Sequence, residues 1–178
     1  MPNQPDPFQT ARLTIRKPTA ADAIDVLAIL SDPLVVKRNP SDLVTDPTRV
    51  VALIERWLRH WDNHGFGNSC VFESATGLLV GTCGIRTMTV QGQPVLNLMY
   101  RFRPPTWGQG YATEAAGAVV TWSEQNLPGQ VVVARVRPEH LASQRVATKI
   151  GLRRDSTLDD VGDDGLDWAF SNRPAGRT

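Results

Sequence analysis

A glycine-bearing segment in the middle of the chain has the residue types and the spacing of an anion-binding site. It reads YRFRPPTWGQGYATEA, from Tyr100 to Ala115, with a predicted strand before the glycines and a predicted helix after them. The first-turn amides of a helix have no internal partners, and the helix dipole adds positive charge there. Gly108 and Gly110 let the backbone approach an anion without an intervening Cβ. The segment therefore predicts a pyrophosphate site, and a glycine turn without a ligand is the alternative.

Two other phosphate-binding patterns do not fit this segment. A P-loop needs Gly-Lys-Ser/Thr, and the chain has no such triplet. A Rossmann fingerprint needs a third glycine, where this chain has Thr113, and no alternating parallel βαβ array follows. Both nucleotide-binding interpretations are therefore excluded.

The segment resembles the acyl-CoA-binding motif of the GNAT acetyltransferase superfamily, Gln/Arg-x-x-Gly-x-Gly/Ala. The last two positions of that motif fall on Gly110 and Ala112, and Trp107 stands where many members carry Gln or Arg. This departure is typical of the branch that resembles the ribosomal-protein-alanine acetyltransferases (RimJ/RimL-like). The branch tends to begin with Thr-x-Arg-Leu-x-x-Arg, which residues 10–16 match as TARLTIR.

A further signature of that branch is Asn-x-x-Ser before a short helix that ends in Lys-x-Gly-Phe. This chain has HLAS at residues 140–143 and KIGL at residues 149–152, so that His140 replaces Asn and Leu152 replaces Phe. The resemblance runs from about residue 10 to residue 171. It implies an α+β GNAT fold, with a single mixed and mostly antiparallel sheet that is splayed at the acetyl-CoA site and flanked by helices.

The resemblance also implies which residues bind acetyl-CoA, the acetyl donor. The strand backbone should pair with pantetheine, the loop and first-turn amides should hold the pyrophosphate, and one strand amide near residues 99–101 should bind the thioester carbonyl. Ser143 would donate a proton to the departing thiolate, with a purely structural hydroxyl as the alternative, and His140 would contact the cofactor or be an ordinary loop histidine. The predicted cofactor-binding residues are Tyr100, Arg101, Phe102, Trp107, Gly108, Gln109, Gly110, Tyr111, Ala112, Thr113, His140 and Ser143.

A general base on the strand NLMYRF (residues 97–102) is excluded, because this strand carries no carboxylate. Asp155 lies near the position where related enzymes often have an acidic residue, and we predict it, with Ser143, as a catalytic residue. Glu73 and a chain of waters are the alternatives. Glu114 is interpreted as structural, because acidic residues are favoured in a first helical turn.

The acceptor is predicted to be a primary amine, in the first place the N-terminal amine of a protein or peptide. A small amine (an amino acid, a polyamine or an aminoglycoside) is one alternative, and a non-catalytic acetyl-CoA-binding domain is another. Residues 31–46 should border the acceptor site. One or two arginines are candidates to bind the 3′-phosphate of CoA, out of a set of four: Arg101, Arg103, Arg135 and Arg137.

The elements that must position these residues follow from periodicity and capping. Asp46 and Pro47 predict a helix start, and the Asp-rich stretch 159–164 is interpreted as a solvated loop. Residues 1–9 are predicted as a flexible arm and residues 10–173 as one acetyltransferase domain. The predicted order is βααβββαβαββ, with strands at residues 10–17, 69–74, 77–90, 95–102, 131–138, 152–157 and 166–171, and helices at 19–30, 46–62, 111–126 and 141–150.

Composition narrows the possible partners and compartments. The 19 Lys and Arg residues against 18 Asp and Glu give a net charge of +1, which offers no case for nucleic-acid binding. No apolar run of about 18 residues predicts a membrane span, and the N terminus has no signal-peptide core, so a cytoplasmic protein is expected. Cys70 and Cys83 lack metal-site spacing, and no metal is predicted. An exposed sheet edge would allow a homodimer.

Overall fold

A central mixed sheet organises the fold, which a computed structural model describes for residues 3–174. In this part of the chain the helices are α1 (Ala23–Leu30), α2 (Pro47–His64), α3 (Tyr111–Asn126) and α4 (Leu141–Lys149). The strands are β1 (Phe8–Gln9), β2 (Leu13–Arg16), β3 (Asn68–Glu73), β4 (Leu79–Val90), β5 (Gln93–Phe102), β6 (Val132–Val136), β7 (Arg153–Arg154), β8 (Asp160–Gly162) and β9 (Gly165–Ser171).

The sheet has the order β1-β2-β3-β4-β5-β6-β9-β7, and β8 pairs with β9 off this path. Neighbouring strands are antiparallel except β5 and β6, which are parallel. Helices α3 and α4 cover one face over a large apolar core, and α1 and α2 cover the other face. The predicted α+β class, with a mixed and mostly antiparallel sheet, is therefore confirmed.

Helix α2 shows how local sequence specifies an element. The carboxylate of Asp46 accepts a 2.8 Å hydrogen bond from the amide of Thr48, and Pro47 occupies the first helical position. The buried apolar residues of α2 recur at helical spacing and pack against the sheet. Gly65, with φ of 76°, ends the helix in the left-handed conformation that glycine adopts without strain.

The C-terminal third departs from the predicted pattern in two places. The interpretation of residues 159–164 as a solvated loop was wrong, because Asp160–Gly162 form β8 and pair with β9. The predicted strand at residues 152–157 shortens to β7, because the side chain of Asp155 accepts from Thr157 and caps a 3-10 turn. At the other end, Phe8 and Gln9 pair with β2, and the amide of Gln4 donates to the carbonyl of Gly65.

The feature that positions the site is the short pairing of β5 with β6. The two strands are in register only at three positions, from Leu96 opposite Val132 to Leu98 opposite Ala134. Beyond these positions β5 continues along β4 as far as Phe102, without β6 beside it. The sheet is therefore splayed at this point, and a gap opens between β5 and β6.

None of the helices in the described part of the chain is long and apolar enough to cross a membrane.

Candidate active site

A groove of about 1270 Å³ passes through the gap between β5 and β6. On one side it is lined by the loop before α3, the start of α3 and the inner face of α4. On the other side it is lined by α2, β4, the segment between α1 and α2, and the β8–β9 hairpin. We call these parts the loop side and the α2 side. Most of the predicted cofactor-binding residues line the groove: Tyr100, Arg101, Phe102, Trp107, Gly108, Gly110, Tyr111, Ala112, Thr113, His140 and Ser143.

The alternation of strand backbone groups decides which β5 amides face the gap. The amide of Leu96 donates to Val131 on the β6 side, whereas the amide of Arg103 donates to Val80 on the β4 side. Residues two apart direct their amides to the same side of a strand. The amides of Tyr100 and Phe102 therefore face the gap, and the amide of Arg101 faces β4.

The glycine loop turns β5 into α3 with its amides exposed. Gly108 and Gly110 have φ angles of 79° and 82°, and Gly110 is the residue that precedes the first turn of α3. The first amide bonded within the helix is that of Glu114, which donates to the carbonyl of Gly110. The amides of residues 111–113 therefore point out of the helix start, which is an electropositive anion site.

Trp107 has a definite role in this loop. Its indole Nε1 donates a 2.7 Å hydrogen bond to the carbonyl of Phe102, one of the groups that the splay leaves without a strand partner. Gln109 is the one predicted cofactor-binding residue that does not line the groove. Its side chain donates to the carbonyl of Pro105, and its own carbonyl accepts from Arg12.

An ion pair between Arg12, near the N terminus, and Glu114, in the first turn of α3, holds the loop in place. The carboxylate of Glu114 accepts from the hydroxyl of Thr10 at 2.7 Å, from the amide of Arg12 at 2.8 Å and from Nε of Arg12 at 2.7 Å. Burial by itself would raise the pKa of Glu114, but these hydrogen bonds outweigh it and lower the pKa below its ordinary value. Glu114 therefore serves as a structural anchor, and the N-terminal signature TARL supplies its donors.

Tyr100 and Ser143 form a hydroxyl pair on the loop side of the gap. The phenol oxygen of Tyr100 lies 2.7 Å from Oγ of Ser143 and donates to the carbonyl of Ser143 at 3.0 Å. Burial disfavours the phenolate and raises the pKa of Tyr100 to about 12. The pair is therefore uncharged at neutral pH and can donate a proton to a developing anion.

His140 lies at the start of α4 and lines the same groove. Its pKa is lowered, first because burial disfavours the charged ring and second because Arg38 repels it. The imidazole is therefore neutral at pH 7, and it can donate a hydrogen bond to a ligand without adding charge.

The two carboxylates considered as bases lie outside the groove lining. Asp155 accepts from the hydroxyls of Thr157 and Ser171 and lies 3.6 Å from Arg173. Burial alone would raise the pKa of Asp155, but these partners outweigh it and lower the pKa, which makes Asp155 a weak base. Glu73 is bound by Thr76 and by the phenol of Tyr111. These contacts tie both carboxylates into the surrounding structure, and the catalytic role of Asp155 stays a prediction.

The four arginines considered for the CoA 3′-phosphate are all engaged by carboxylates. Arg101 pairs with Asp42, Arg103 with Asp25, and Arg135 and Arg137 share Asp167. Sequence reasoning missed Arg145 and Lys149, which line the loop side from α4 and have no ion pair among residues 3–174. Their spacing of four residues on one predicted helix was the signal that they share a face.

On the α2 side, the segment between α1 and α2 is hydrogen-bonded to the β8–β9 hairpin and to Arg137, which follows β6. The amide and hydroxyl of Ser41 donate to Asp164 at 3.0 and 2.6 Å, and Nε of Arg137 donates to the carbonyl of Arg38 at 3.1 Å. This segment closes the groove near β6.

The carboxylates that line the α2 side are almost all neutralised. Asp42, Asp160, Asp164 and Asp167 each lie within 4.0 Å of a guanidinium nitrogen. Within the described chain, Asp163 lines the groove without a basic partner, and it lies exposed at the turn of the β8–β9 hairpin. The α2 side therefore offers no free carboxylate close to the gap.

Comparisons with known proteins bear on the family and the fold of this chain. The profile of the family described as "Acetyltransferase (GNAT) domain" matches residues 12–153. The uncharacterized protein YkkB of Bacillus subtilis is 33% identical over 112 residues, and the match covers 58% of this chain and 65% of YkkB, just under two thirds of its length.

Two solved structures share the fold over almost the whole chain. An acetyltransferase from Agrobacterium tumefaciens has a TM-score of 0.79 at 23% identity and covers 98% of both chains. RimL, a ribosomal alpha-N-protein acetyltransferase in complex with coenzyme A, has a TM-score of 0.74 at 11% identity, covering 91% of this chain and 94% of its own. At these identities the likeness concerns the fold alone.

Glu114→Gln should destabilise the protein in a pH-dependent way. Because the pKa of Glu114 is lowered by folding, its contribution to stability is present above the ordinary pKa of 4.5 and is lost as the pH falls through the folded-state value. The difference in unfolding free energy between wild type and variant, measured by urea denaturation, should therefore be largest at pH 7 and shrink below pH 4.5. Glu124→Gln, an exposed site on the same helix, is the control. A difference that stays constant with pH would contradict the anchoring role.

Proposed function

Because this chain belongs to the GNAT acetyltransferase family, we propose that it transfers an acetyl group from acetyl-CoA to the N-terminal amine of a protein or peptide. Acetyl transfer is the activity of the family. The choice of acceptor is our proposal, and it rests on one observation: among residues 3–174, every carboxylate that lines the α2 side is paired with an arginine, except the exposed Asp163.

The loop side fits acetyl-CoA. The outward amides of residues 111–113 and the open space at Gly108 suit a pyrophosphate. Arg145 and Lys149 add positive charge on the neighbouring helix for the phosphates. The gap beside Tyr100 and Phe102 offers strand amides to the pantetheine arm. RimL, which has the same fold, was solved with coenzyme A.

The reaction needs three things from the protein. The amine attacks the thioester carbonyl carbon, the C–N bond forms, the C–S bond breaks, and the amine loses a proton while the thiolate gains one. The amide of Tyr100 faces the gap and would stabilise the carbonyl oxygen as it becomes negative. Ser143, oriented by its 2.7 Å contact with Tyr100, would donate its proton to the thiolate and regain one from water in the groove. The amine's proton would leave to the same water, so that the protons balance over the reaction.

The lack of a free base favours an acceptor that is already partly neutral. A peptide N-terminal amine has a pKa near 7.8 and is about one third neutral at pH 7.5, whereas a lysine amine near 10.4 is neutral in only about one molecule in a thousand. A polyamine or an aminoglycoside would also need carboxylates to balance its charge, and those on the α2 side are paired with arginines. These arguments favour a peptide over a polycation.

Gly108→Glu should weaken binding of acetyl-CoA and CoA at least tenfold by calorimetry, because its carboxylate would repel the pyrophosphate. Gly129→Glu is a matched control. Both glycines have φ near 80°, and an added Cβ meets nothing within 4 Å at either position, so the backbone strain and the added charge are the same. Equal affinity of the two variants would rule out the loop as the pyrophosphate site.

Ser143→Ala should lower kcat roughly tenfold to a hundredfold with a smaller effect on the KM for acetyl-CoA, because the thiolate loses its proton donor. Ser143→Thr should retain most of the activity, since the hydroxyl remains. The rising limb of kcat/KM with pH should stay near pH 8 in both, because it reports the peptide amine rather than a protein base. A limb that moves with the substitution would contradict this assignment.

The acceptor class is tested with a panel followed by mass spectrometry of the products. We expect acetylation at the N-terminal amine of short peptides, and much lower kcat/KM for an N-blocked lysine peptide, a polyamine and an aminoglycoside. Gly108→Glu protein serves as the inactive control. Preference for the polycations would overturn the peptide proposal, and tight CoA binding without any product would favour the non-catalytic alternative.

A further inference from the structure

Three arginines on the α2 side differ from the others that line it. Arg49, Arg56 and Arg86 line the groove, and among residues 3–174 none of them has a carboxylate within 4.0 Å. Arg101, Arg135 and Arg137 in the same groove are all paired. The fold therefore pairs the arginines beside the gap with carboxylates and leaves Arg49, Arg56 and Arg86 without an ion pair in the described part of the chain.

A hydrogen bond between α2 and β4 holds together the backbone segments that carry Arg56 and Arg86. His60 lies one helical turn after Arg56, and its Nε2 accepts a 3.1 Å hydrogen bond from the amide of Thr87, the residue after Arg86. Nδ1 of the same ring lies 2.9 Å from the carbonyl of Phe66. Both ring nitrogens are thus occupied, and the pair of arginines stands on two elements that cannot easily move apart.

The surroundings of Arg86 disfavour its positive charge. The pKa of Arg86 lies below its ordinary value, because desolvation disfavours the charge and because Arg56 and Arg135 repel it, and attraction by Asp42 offsets only part of this effect. The acidic residues of α2 are engaged elsewhere, since Glu55 pairs with Arg59 and Asp62 pairs with Lys17. None of these four residues lines the groove. An anionic group bound between Arg56 and Arg86 would reduce the repulsion between these two arginines.

The distance from the gap indicates where on an acceptor that anion would be. Arg86 is opposite Asn97 in the β4–β5 register, three residues from Tyr100, which is roughly 10 Å along the strand. The α-carboxylate carbon of a free amino acid lies only about 2.5 Å from its amine. A side-chain carboxylate on the second or third residue of an extended peptide spans the required separation, since each residue adds about 3.4 Å.

We infer that Arg56 and Arg86 form a subsite for a carboxylate of the acceptor, so that the preferred substrate is a peptide with an acidic residue at its second or third position. This inference rests on the proposed function and adds a specificity to the same groove. The amine end lies at the gap and the acidic side chain lies between α2 and β4. Arg49, seven residues before Arg56 on the same face of α2, extends the positive surface outward.

The test compares matched peptide amides, Ser-Gln-Ala-Ala with Ser-Glu-Ala-Ala and Ser-Ala-Gln-Ala with Ser-Ala-Glu-Ala, as well as free glutamate. For the wild type, we expect kcat/KM to be at least tenfold higher for the better Glu peptide than for its Gln counterpart. Arg86→Gln and Arg56→Gln should each reduce this ratio several-fold. Arg86→Glu should shift the preference towards a peptide with Lys in place of Glu.

Arg59→Gln is the control, because it makes the same change in charge and side-chain shape on the outer face of α2, and it should leave the ratio unchanged. Thermal melts of each variant establish that it is folded. Peptides acetylated equally well with Glu or Gln would overturn this inference and leave the proposed function intact. A higher kcat/KM for free glutamate than for the peptides would overturn it in favour of an α-carboxylate, and no acetylation of any peptide would overturn both proposals.

Discussion

The separation of β5 from β6 after three paired positions is the constraint on which the site depends. A strand that loses its neighbour leaves backbone amides and carbonyls that need other partners. The indole of Trp107 meets one of these needs by binding the carbonyl of Phe102. The amides of Tyr100 and Phe102 remain directed at the gap, which suits a substrate that can pair with them as a strand would. The groove is thus a consequence of incomplete sheet pairing.

The glycine loop would not by itself stay in place beside this gap. Glu114 ties the first turn of α3 to Thr10 and Arg12, and Arg12 also donates to the carbonyl of Gln109. Residues about a hundred positions apart therefore share one charged cluster. In this chain the N-terminal signature supplies the donors that hold the glycine motif in place. Long-range ties of this kind pre-organise a binding site before a ligand arrives.

Charge pairing decides the character of the acceptor side more than residue composition does. The β8–β9 hairpin brings Asp160 and Asp167 onto Arg135, so that within residues 3–174 the exposed Asp163 is the groove-lining carboxylate without a basic partner. Among residues 3–174, no carboxylate forms an ion pair with Arg56 or Arg86. A chain whose charges nearly cancel as a whole can still have a cationic subsite, because burial and pairing act on individual side chains. The acceptor preferences proposed for this enzyme follow from that local imbalance.

The sequence by itself determined the elements whose signals are local. The cap at Asp46, the apolar face of α2 and the glycines before α3 act within a few residues, so helix α2 and the glycine turn into α3 could be predicted. Tertiary structure alone decided that Asp155 caps a turn and that residues 160–162 join a strand. It also decided which arginines are paired, because a charge finds its partner through strand register and packing between distant segments. Those contacts depend on the whole fold and leave no periodic trace in the sequence.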